Sequence, residues 1–390
     1  MPEDLRNWAG NVTYSARRVL RPGSREEVQD AVRAAETFRA VGTRHSFNRI
    51  ADTTGDLISL ERMNRVLGVD RANRTVTIEG GVRYGELGVF LQAEGFALHN
   101  MASLPHISVV GACATATHGS GETLGNLATA VCSLEIVTLD GEVVSLSRGD
   151  PGFASAVVSA GRLGVVTQMT LDVEPAFDVV QTVYENLPFG EMEAHFDEIQ
   201  ASGYSVSLFT DWASDSINQV WLKRRMDRPY ATLGTALFGA MRADGDRHPI
   251  PGISAENCTP QMGVPGPWHA RLPHFRLEFT PSSGEELQSE YFVPRVMAMP
   301  ALRAIKTLGA EIAPWLLISE IRTIAADELE SSPHYRRDSV AVHFTWKPDW
   351  PAVRDALYRI EGALAAFDFR AHAGKLSVAG NRDEHAPGYH

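Results

Sequence analysis

Four polar residues at alternate positions of two short segments could act together on a substrate. Glu320 and Arg322 are two residues apart, as are His343 and Thr345. Residues spaced in this way project from the same face of a β-strand, so two neighbouring strands would share one polar surface. Lys375, on a later extended segment, could reach the same place. These groups suit acid–base chemistry and the binding of hydroxyl groups. Taken alone, however, the pattern favours a simpler alternative, a solvated sheet face with an ordinary Glu–Arg pair.

Two other segments are rich in small and hydroxyl-bearing residues. Residues 41–48 read Val-Gly-Thr-Arg-His-Ser-Phe-Asn, and a second such stretch extends over residues 100–121. Small residues let a ligand approach the backbone closely, and successive backbone amides can donate hydrogen bonds to a pyrophosphate. Without further information, a tight loop that binds no ligand explains the same residues.

Other motifs that carry chemistry are absent or incomplete. The glycines at 119–125 span one residue more than a dinucleotide-binding fingerprint does. They also neither follow a predicted strand nor precede an apolar helix. The chain has no Gly-Lys-Ser/Thr phosphate loop and no Gly-x-Ser-x-Gly elbow. The thirteen histidines show no zinc-ligand spacing, so we expect no metal site.

The elements that must position these residues follow from local patterns. Ser24 and Glu27 form a capping box at the start of a helix, and Gly95 ends a second helix over residues 85–94. Alternation and turn residues predict strands at 38–41, 66–70, 75–79, 134–139, 142–146 and 164–173 in the first half, and at 205–209, 219–223, 320–324 and 340–346 in the second. Residues 247–276, dense in proline and glycine, predict a long ordered loop. The order of elements indicates alternating α and β structure followed by an α+β domain, with a boundary near Pro175.

Composition narrows the class of protein. The chain has 390 residues, 44% of them hydrophobic, and a formal net charge of −12. An acidic surface argues against a nucleic-acid or anionic-membrane partner. The chain has no apolar run long enough to span a bilayer and no secretory signal at its start. The three cysteines are not paired in spacing. We therefore expect a cytoplasmic protein, most simply a monomer.

The glycine- and hydroxyl-rich segments resemble those of the vanillyl-alcohol oxidase family of covalent flavoproteins, and in particular its alditol (xylitol) oxidase branch, a relative of the aldonolactone oxidases. The resemblance runs from Asn7 to about Lys375. It includes Asn-Trp-Ala-Gly-Asn at 7–11, Asn-Cys-Thr at 257–259, Gly-Val-Pro-Gly-Pro-Trp-His at 263–269 and Glu-Phe-Thr-Pro-Ser-Ser at 278–283. It implies an α+β, two-domain FAD-binding fold of the vanillyl-alcohol-oxidase (PCMH) type, with a cap domain built on an antiparallel sheet. The expected parts are an FAD-binding domain at 1–175, a substrate-binding cap at 176–370 and a C-terminal return segment at 371–390.

The resemblance also implies a cofactor and a set of residues that bind it. FAD would be attached covalently through His45. The remaining residues implied to hold FAD are Ala40, Val41, Gly42, Thr43, Arg44, Ser46, Ser103, Ser108, Gly111, Ala112, Ala114, Thr115, Thr117, His118 and Val166.

The implied reaction is the oxidation of the terminal primary hydroxyl of a xylitol- or sorbitol-type polyol to the aldose, by hydride transfer to flavin N5, with O₂ reduced to H₂O₂. Lys375 would take the hydroxyl proton and Arg322 would stabilise the developing alkoxide. Glu320, Arg322 and Thr345 would bind adjacent hydroxyls, Ser103 would contact the reacting end, and His343 belongs to the same catalytic face.

The end of the chain departs from the family pattern. After Lys375 it lacks the Asp-Pro-x-Gly-Lys-Phe run of other family members, so we expect a shortened return segment that could leave one wall of the flavin site open. Two alternatives therefore stand beside the alditol oxidase: an aldonolactone oxidase or dehydrogenase of the same family, and a non-catalytic flavin- or sugar-binding remnant.

Overall fold

The computed structural model describes residues 5–279 and 285–378. Residues 280–284, part of one matched motif, and the tail 379–390 lie outside this range, so the expected shortening of the return segment stays a prediction. Within the described residues no helix combines the length and apolarity needed to cross a membrane. The strands are β1 Arg18–Leu20, β2 Phe38–Val41, β3 Asp56–Ser59, β4 Val66–Asp70, β5 Thr75–Glu79, β6 Phe96–Ala97, β7 Val131–Thr138, β8 Val143–Ser147, β9 Gly164–Asp172, β10 Glu174–Pro175, β11 Asp178–Pro188, β12 Ser205–Thr210, β13 Ser216–Arg225, β14 Ala236–Leu237, β15 Ala240–Arg242, β16 Gly266–Pro267, β17 Leu287–Pro294, β18 Leu316–Ile324, β19 Ser339–Trp346 and β20 Arg370–Ala371.

The described helices are α1 Arg25–Ala34, α2 Tyr84–Ala93, α3 Val109–Ala114, α4 Phe153–Val157, α5 Phe189–Ala194, α6 Phe196–Ala201, α7 Ala298–Thr307, α8 Gly309–Ile312 and α9 Trp350–Leu364. Four of them, α1, α2, α7 and α9, have ten or more residues, and the others are shorter. One half of the predicted capping box of α1 is confirmed, since the Ser24 side chain accepts a hydrogen bond from the Glu27 amide. The other half is different: the Glu27 carboxylate accepts from the amide of Gly23 at 2.8 Å and not from that of Ser24. Gly95 takes the left-handed conformation after α2, with φ +79°, as its position predicts.

The first half of the chain forms two larger sheets and a two-stranded pair, β6-β10. A five-stranded antiparallel sheet has the order β4-β5-β9-β7-β8, and a three-stranded parallel sheet has the order β1-β3-β2. The two predicted hairpins are confirmed as β4-β5 and β7-β8. Strand β2 leads directly into the glycine-rich segment that begins at Gly42.

The second half builds one sheet of ten strands in the order β14-β15-β11-β13-β12-β18-β19-β17-β20, with β16 paired to β11. The predicted strands around Glu320 and His343 are confirmed as antiparallel neighbours, and Glu320 lies directly opposite His343. Because the strands up to β9 and those from β11 onward join different sheets, we keep the boundary near Pro175 as a proposal. The long segment 247–276 holds only the two-residue strand β16 and 3₁₀ turns, as its composition predicts.

One face of the ten-stranded sheet is apolar, and the other carries polar residues beside a smaller apolar cluster that includes Phe209 and Trp221. The predicted apolar face of β19, Val340, Val342, Phe344 and Trp346, is fully buried in one cluster with residues of α7 and α9. Removing these side chains from water stabilises the sheet by roughly 1.5–3 kcal/mol for each large apolar residue. Strand alternation then leaves His343 and Thr345 on the opposite face.

Candidate active site

The polar face of the sheet forms one wall of a cavity of about 420 Å³. The register of β18 and β19 places Glu320, Arg322, His343 and Thr345 on this wall, as alternation predicts. Lys375 reaches the same cavity from the loop after β20. The structure therefore brings together all five residues singled out in the second half of the sequence.

Glu290 is a central residue of this wall that the sequence reasoning missed. It lies on β17 directly opposite His343, and its side chain is 1% exposed. Its carboxylate accepts hydrogen bonds from Lys375 Nζ and from Arg322 Nη2, both at 2.8 Å, and His118 Nε2 lies 3.2 Å away. Burial alone would raise the pKa of Glu290, but Lys375, His118 and Arg322 outweigh it and hold the pKa well below its usual range. Glu290 is therefore a buried anion that orients two cations.

Lys375 has the environment that a basic amine requires. Burial lowers its pKa from the ordinary 10.5; Glu290 opposes this change and Arg322 adds to it. Its loop is tied to the segment after His45. The Phe47 amide donates to the Gly374 carbonyl at 2.7 Å, and Asn48 Nδ2 donates to the carbonyls of Ala373 and Lys375, both at 2.9 Å.

Two neighbouring side chains, His274 and Arg322, contact the Glu320 carboxylate. His274 Nε2 lies 2.9 Å from Glu320 Oε1, and Arg322 Nε lies 3.6 Å from the same oxygen. Burial raises the pKa of Glu320, but Arg322 and His274 outweigh burial and lower it, so the carboxylate is ionised. His274 lies in the long loop, where no periodic pattern marked it as a candidate.

The remaining wall residues present polar atoms to the cavity. His343 Nε2 donates to Gln288 Oε1 at 3.0 Å, and burial lowers the pKa of this imidazole well below its ordinary value. Ser103 and Thr345 line the cavity. The Ser103 carbonyl accepts from the amides of His274 and Phe275 at 3.1 and 3.2 Å, which fixes Ser103 against the long loop.

His45 lies where this cavity meets a second one of about 580 Å³. Its Nδ1 donates to the Thr43 carbonyl at 3.0 Å, and its ring stacks on Trp8 with centroids 5.1 Å apart. Burial lowers the pKa of His45 to about 4, so the imidazole is neutral at physiological pH. All the residues implied to hold FAD line one cavity or both: Ala40, Val41, Gly42, Thr43, Arg44, Ser46, Ser103, Ser108, Gly111, Ala112, Ala114, Thr115, Thr117, His118 and Val166.

The two cavities fit an elongated dinucleotide cofactor. They share lining residues from Val41 to Ser46 and so lie next to each other. Their walls depend on the absence of side chains: a Cβ at Gly42 would lie 2.3 Å from Ser108 Oγ, and one at Gly111 would lie 2.7 Å from it. The two glycines thus let the Ser108 side chain pack against the backbone of the shared wall, and small residues of this kind would suit the binding of a flavin dinucleotide.

The comparisons with known proteins agree with this geometry. The FAD binding domain family matches residues 16–147. The chain is 50% identical over 384 residues to an alditol oxidase of Streptomyces sp. (strain IKD472 / FERM P-14339), covering 96% of this chain and 90% of that protein. It is 32% identical to an L-gulono-1,4-lactone dehydrogenase of Mycobacterium tuberculosis (strain CDC 1551 / Oshkosh), covering 86% of this chain and 82% of that protein.

A solved structure shares the fold at low sequence identity. A solvent-stable cholesterol oxidase superposes with a TM-score of 0.73 at 15% identity, covering 95% of this chain and 86% of that one. This confirms the predicted two-part FAD-binding fold of the vanillyl-alcohol-oxidase type. Together with the two sequence relatives, it shows that the chain belongs to the alditol oxidase family of FAD-dependent oxidoreductases.

Proposed function

We propose that this enzyme oxidises the terminal primary hydroxyl of a xylitol- or sorbitol-type alditol to the aldose and releases H₂O₂. The observation that carries the proposal is the polar wall, where an ionised Glu320, the guanidinium of Arg322 and the amine of Lys375 line one cavity with His45. A polyol offers a hydroxyl on every carbon, and a wall of alternating acceptors and donors suits such a substrate. The identity to an alditol oxidase supports the same substrate class.

The residues of the chain would divide the work of proton removal and binding. Bound FAD supplies the hydride acceptor and passes the electrons on to O₂. Lys375 Nζ takes the hydroxyl proton, because its lowered pKa favours the free amine more than an exposed lysine would. Arg322, whose guanidinium stays charged, stabilises the developing alkoxide. Glu320, Thr345 and Ser103 bind hydroxyls, and His343 completes the wall.

We also propose that His45 carries the flavin covalently. Its neutral imidazole keeps a nitrogen lone pair available, and it lies at the junction of the two cavities. The test is acid precipitation: a pellet that stays yellow from the wild type, and colourless from His45→Ala, supports the attachment. A colourless wild-type pellet would refute it. If, in addition, xylitol yields no peroxide, the non-catalytic remnant is favoured.

The second candidate, an aldonolactone oxidase or dehydrogenase, is favoured by the likeness to the gulonolactone dehydrogenase. Steady-state rates with xylitol, sorbitol, L-gulono-1,4-lactone and L-galactono-1,4-lactone separate the two. We expect kcat/KM to be highest for a polyol, and a clear preference for a lactone would overturn the proposal. Anaerobic reduction followed by admission of air distinguishes an oxidase from a dehydrogenase. The expected cytoplasmic location and monomeric state stay predictions, to be tested by fractionation and light scattering.

A further inference from the structure

A second buried cation lies behind the polar wall and has no part in the proposed chemistry. Lys223, on β13, is 1% exposed. Its Nζ donates to the Leu272 carbonyl, to the Pro273 carbonyl at 3.2 Å and to His274 Nδ1 at 3.1 Å. The other ring nitrogen, His274 Nε2, lies 2.9 Å from Glu320 Oε1. Lys223, His274 and Glu320 thus form a continuous buried chain that ends at the cavity.

The direction of each hydrogen bond in this chain follows from the ammonium group. A protonated amine has no lone pair, so it can only donate, and His274 Nδ1 must accept. A neutral imidazole then carries its single hydrogen on Nε2, which points at Glu320. Burial lowers the pKa of His274 to about 4, with Lys223 adding to the effect, so the ring is neutral. The lysine therefore selects one of the two tautomers of the histidine.

Packing restricts the rotation of the His274 ring. His274 is buried and packs edge-on against Phe209 and Trp221, with ring centroids 5.6 and 5.1 Å away. Both contacts that Glu320 makes within the described chain, from His274 Nε2 and Arg322 Nε, fall on Oε1. In the described part of the chain no donor contacts Oε2. This oxygen is the one left for a ligand in the cavity that Glu320 lines.

We propose that Lys223 and His274 are positioning residues that fix the Glu320 carboxylate, with Oε2 turned to the cavity, so that it accepts one particular hydroxyl of the polyol. The inference rests on the proposed function, because it takes Glu320 as the receiver of a substrate hydroxyl. Neither residue has a part in the proposed proton removal or alkoxide stabilisation. Their effect should therefore fall on KM rather than on kcat.

The arrangement should respond to pH. Burial lowers the pKa of Lys223 to about 7; Glu320 and Cys258 oppose this change, and Arg322 adds to it. As pH rises through 7 the ammonium loses a proton, and the amine can then accept as well as donate. His274 is no longer restricted to the Nε2–H tautomer, and the other tautomer turns a lone pair toward the Glu320 carboxylate. The KM for the polyol should rise over this range.

The first test reads the tautomer directly in the holoenzyme, without substrate. Nitrogen-15 spectra of histidine-labelled enzyme, with His274 assigned by its loss in His274→Phe, should show a protonated Nε2 and an unprotonated Nδ1 at pH 6. In Lys223→Met, or in the wild type at pH 8.5, the signals should move toward a mixture. A wild-type ring protonated on Nδ1, or on both nitrogens, at pH 6 would overturn the proposal.

The second test reads KM for xylitol from pH 6 to 8.5. His274→Phe keeps the aromatic packing and removes the donor to a charged acceptor, so KM should rise about 10-fold or more with kcat within about twofold. His274→Gln, whose amide can donate in place of Nε2, should recover much of the loss. Lys223→Met should have a raised KM that no longer depends on pH. An unchanged KM in His274→Phe refutes the positioning role.

A matched control removes a lysine of similar bonding away from the cavity. Lys306 donates to the carbonyls of Trp212 and Ser214, so Lys306→Met loses comparable bonds and should leave KM and its pH dependence unchanged. If the wild type oxidises no polyol, the proposed function fails and the recognition role fails with it. The nitrogen spectra then still show whether lysine and histidine are coupled, which distinguishes the two failures.

Discussion

Replacing Glu290 by glutamine should lower the pKa of Lys375, so that Lys375 remains a free amine at lower pH. The carboxylate contacts Lys375 Nζ at 2.8 Å and favours its charged form. With charge centres about 4 Å apart and an effective dielectric constant of about 20, the pair is worth about 4 kcal/mol. At 1.36 kcal/mol per pH unit this corresponds to a pKa change of at most about three. The pKa of Lys375 should therefore fall, because the variant lacks the Glu290 charge that raises this pKa.

The assay is the pH dependence of kcat with xylitol, followed by peroxide release. If Lys375 must be a free amine, the acidic limb of the profile should move to lower pH by about one to three units in Glu290→Gln. The same change leaves two buried cations without their anion, so the free energy of unfolding should drop by about 3–5 kcal/mol. Denaturant unfolding measures this loss.

The control is Glu361, a second buried carboxylate, which bonds the neighbour of Glu290 on the opposite face of β17. Glu361, on α9, accepts from the Tyr291 hydroxyl at 2.9 Å, and Tyr291 points away from the cavity that Glu290 lines. Glu361 also accepts from the Ser377 hydroxyl and the Val378 amide, and the side-chain oxygen of a glutamine can accept these bonds as well. Glu361→Gln should leave the acidic limb in place. An acidic limb that stays fixed in Glu290→Gln, or moves to higher pH, would refute Lys375 as the base whose charge Glu290 controls.

Three further changes test the catalytic wall and the cofactor cradle. Lys375→Met should lower kcat at least about 10²-fold by peroxide release, and an intact rate would exclude it as the base. Arg322→Ala should lower kcat as well as raise KM, with kcat/KM down at least about 10²-fold, and a change in KM alone would argue against alkoxide stabilisation. Gly42→Ala places a Cβ 2.3 Å from Ser108 Oγ and should reduce the bound FAD measured by absorbance. Gly190→Ala, with open space around its Cβ, should keep full FAD content.

Strand alternation accounts for how much of the catalytic wall could be predicted. His343 and Thr345 alternate with buried apolar residues, and Glu320 and Arg322 lie two residues apart on the neighbouring strand, so their common face followed from the sequence. The same signal was present at Gln288 and Glu290, which alternate with Leu287 and Tyr291 on β17, but it was not used. The polar face of this third strand could therefore have been found.

Other parts of the wall had no local signal. His274 lies in an irregular loop, and its contact with Glu320 joins residues 46 positions apart. The pairing order β12-β18-β19-β17, which makes one wall of distant segments, depends on long-range packing rather than on any short pattern. The cofactor residues were assigned through the family resemblance, since glycine- and serine-rich loops look alike with or without a ligand.

The bonds between the segment after His45 and the loop of Lys375 have a mechanical consequence. The Phe47 amide and the Asn48 side chain donate hydrogen bonds to the backbone carbonyls of residues 373–375. A flavin attached at His45, as we propose, and the amine of Lys375 would thus be held by the same short segment. A slow movement of the large sheet relative to the smaller sheets would move the flavin and the Lys375 amine together. The two groups would therefore stay aligned without a hinge closure in each turnover.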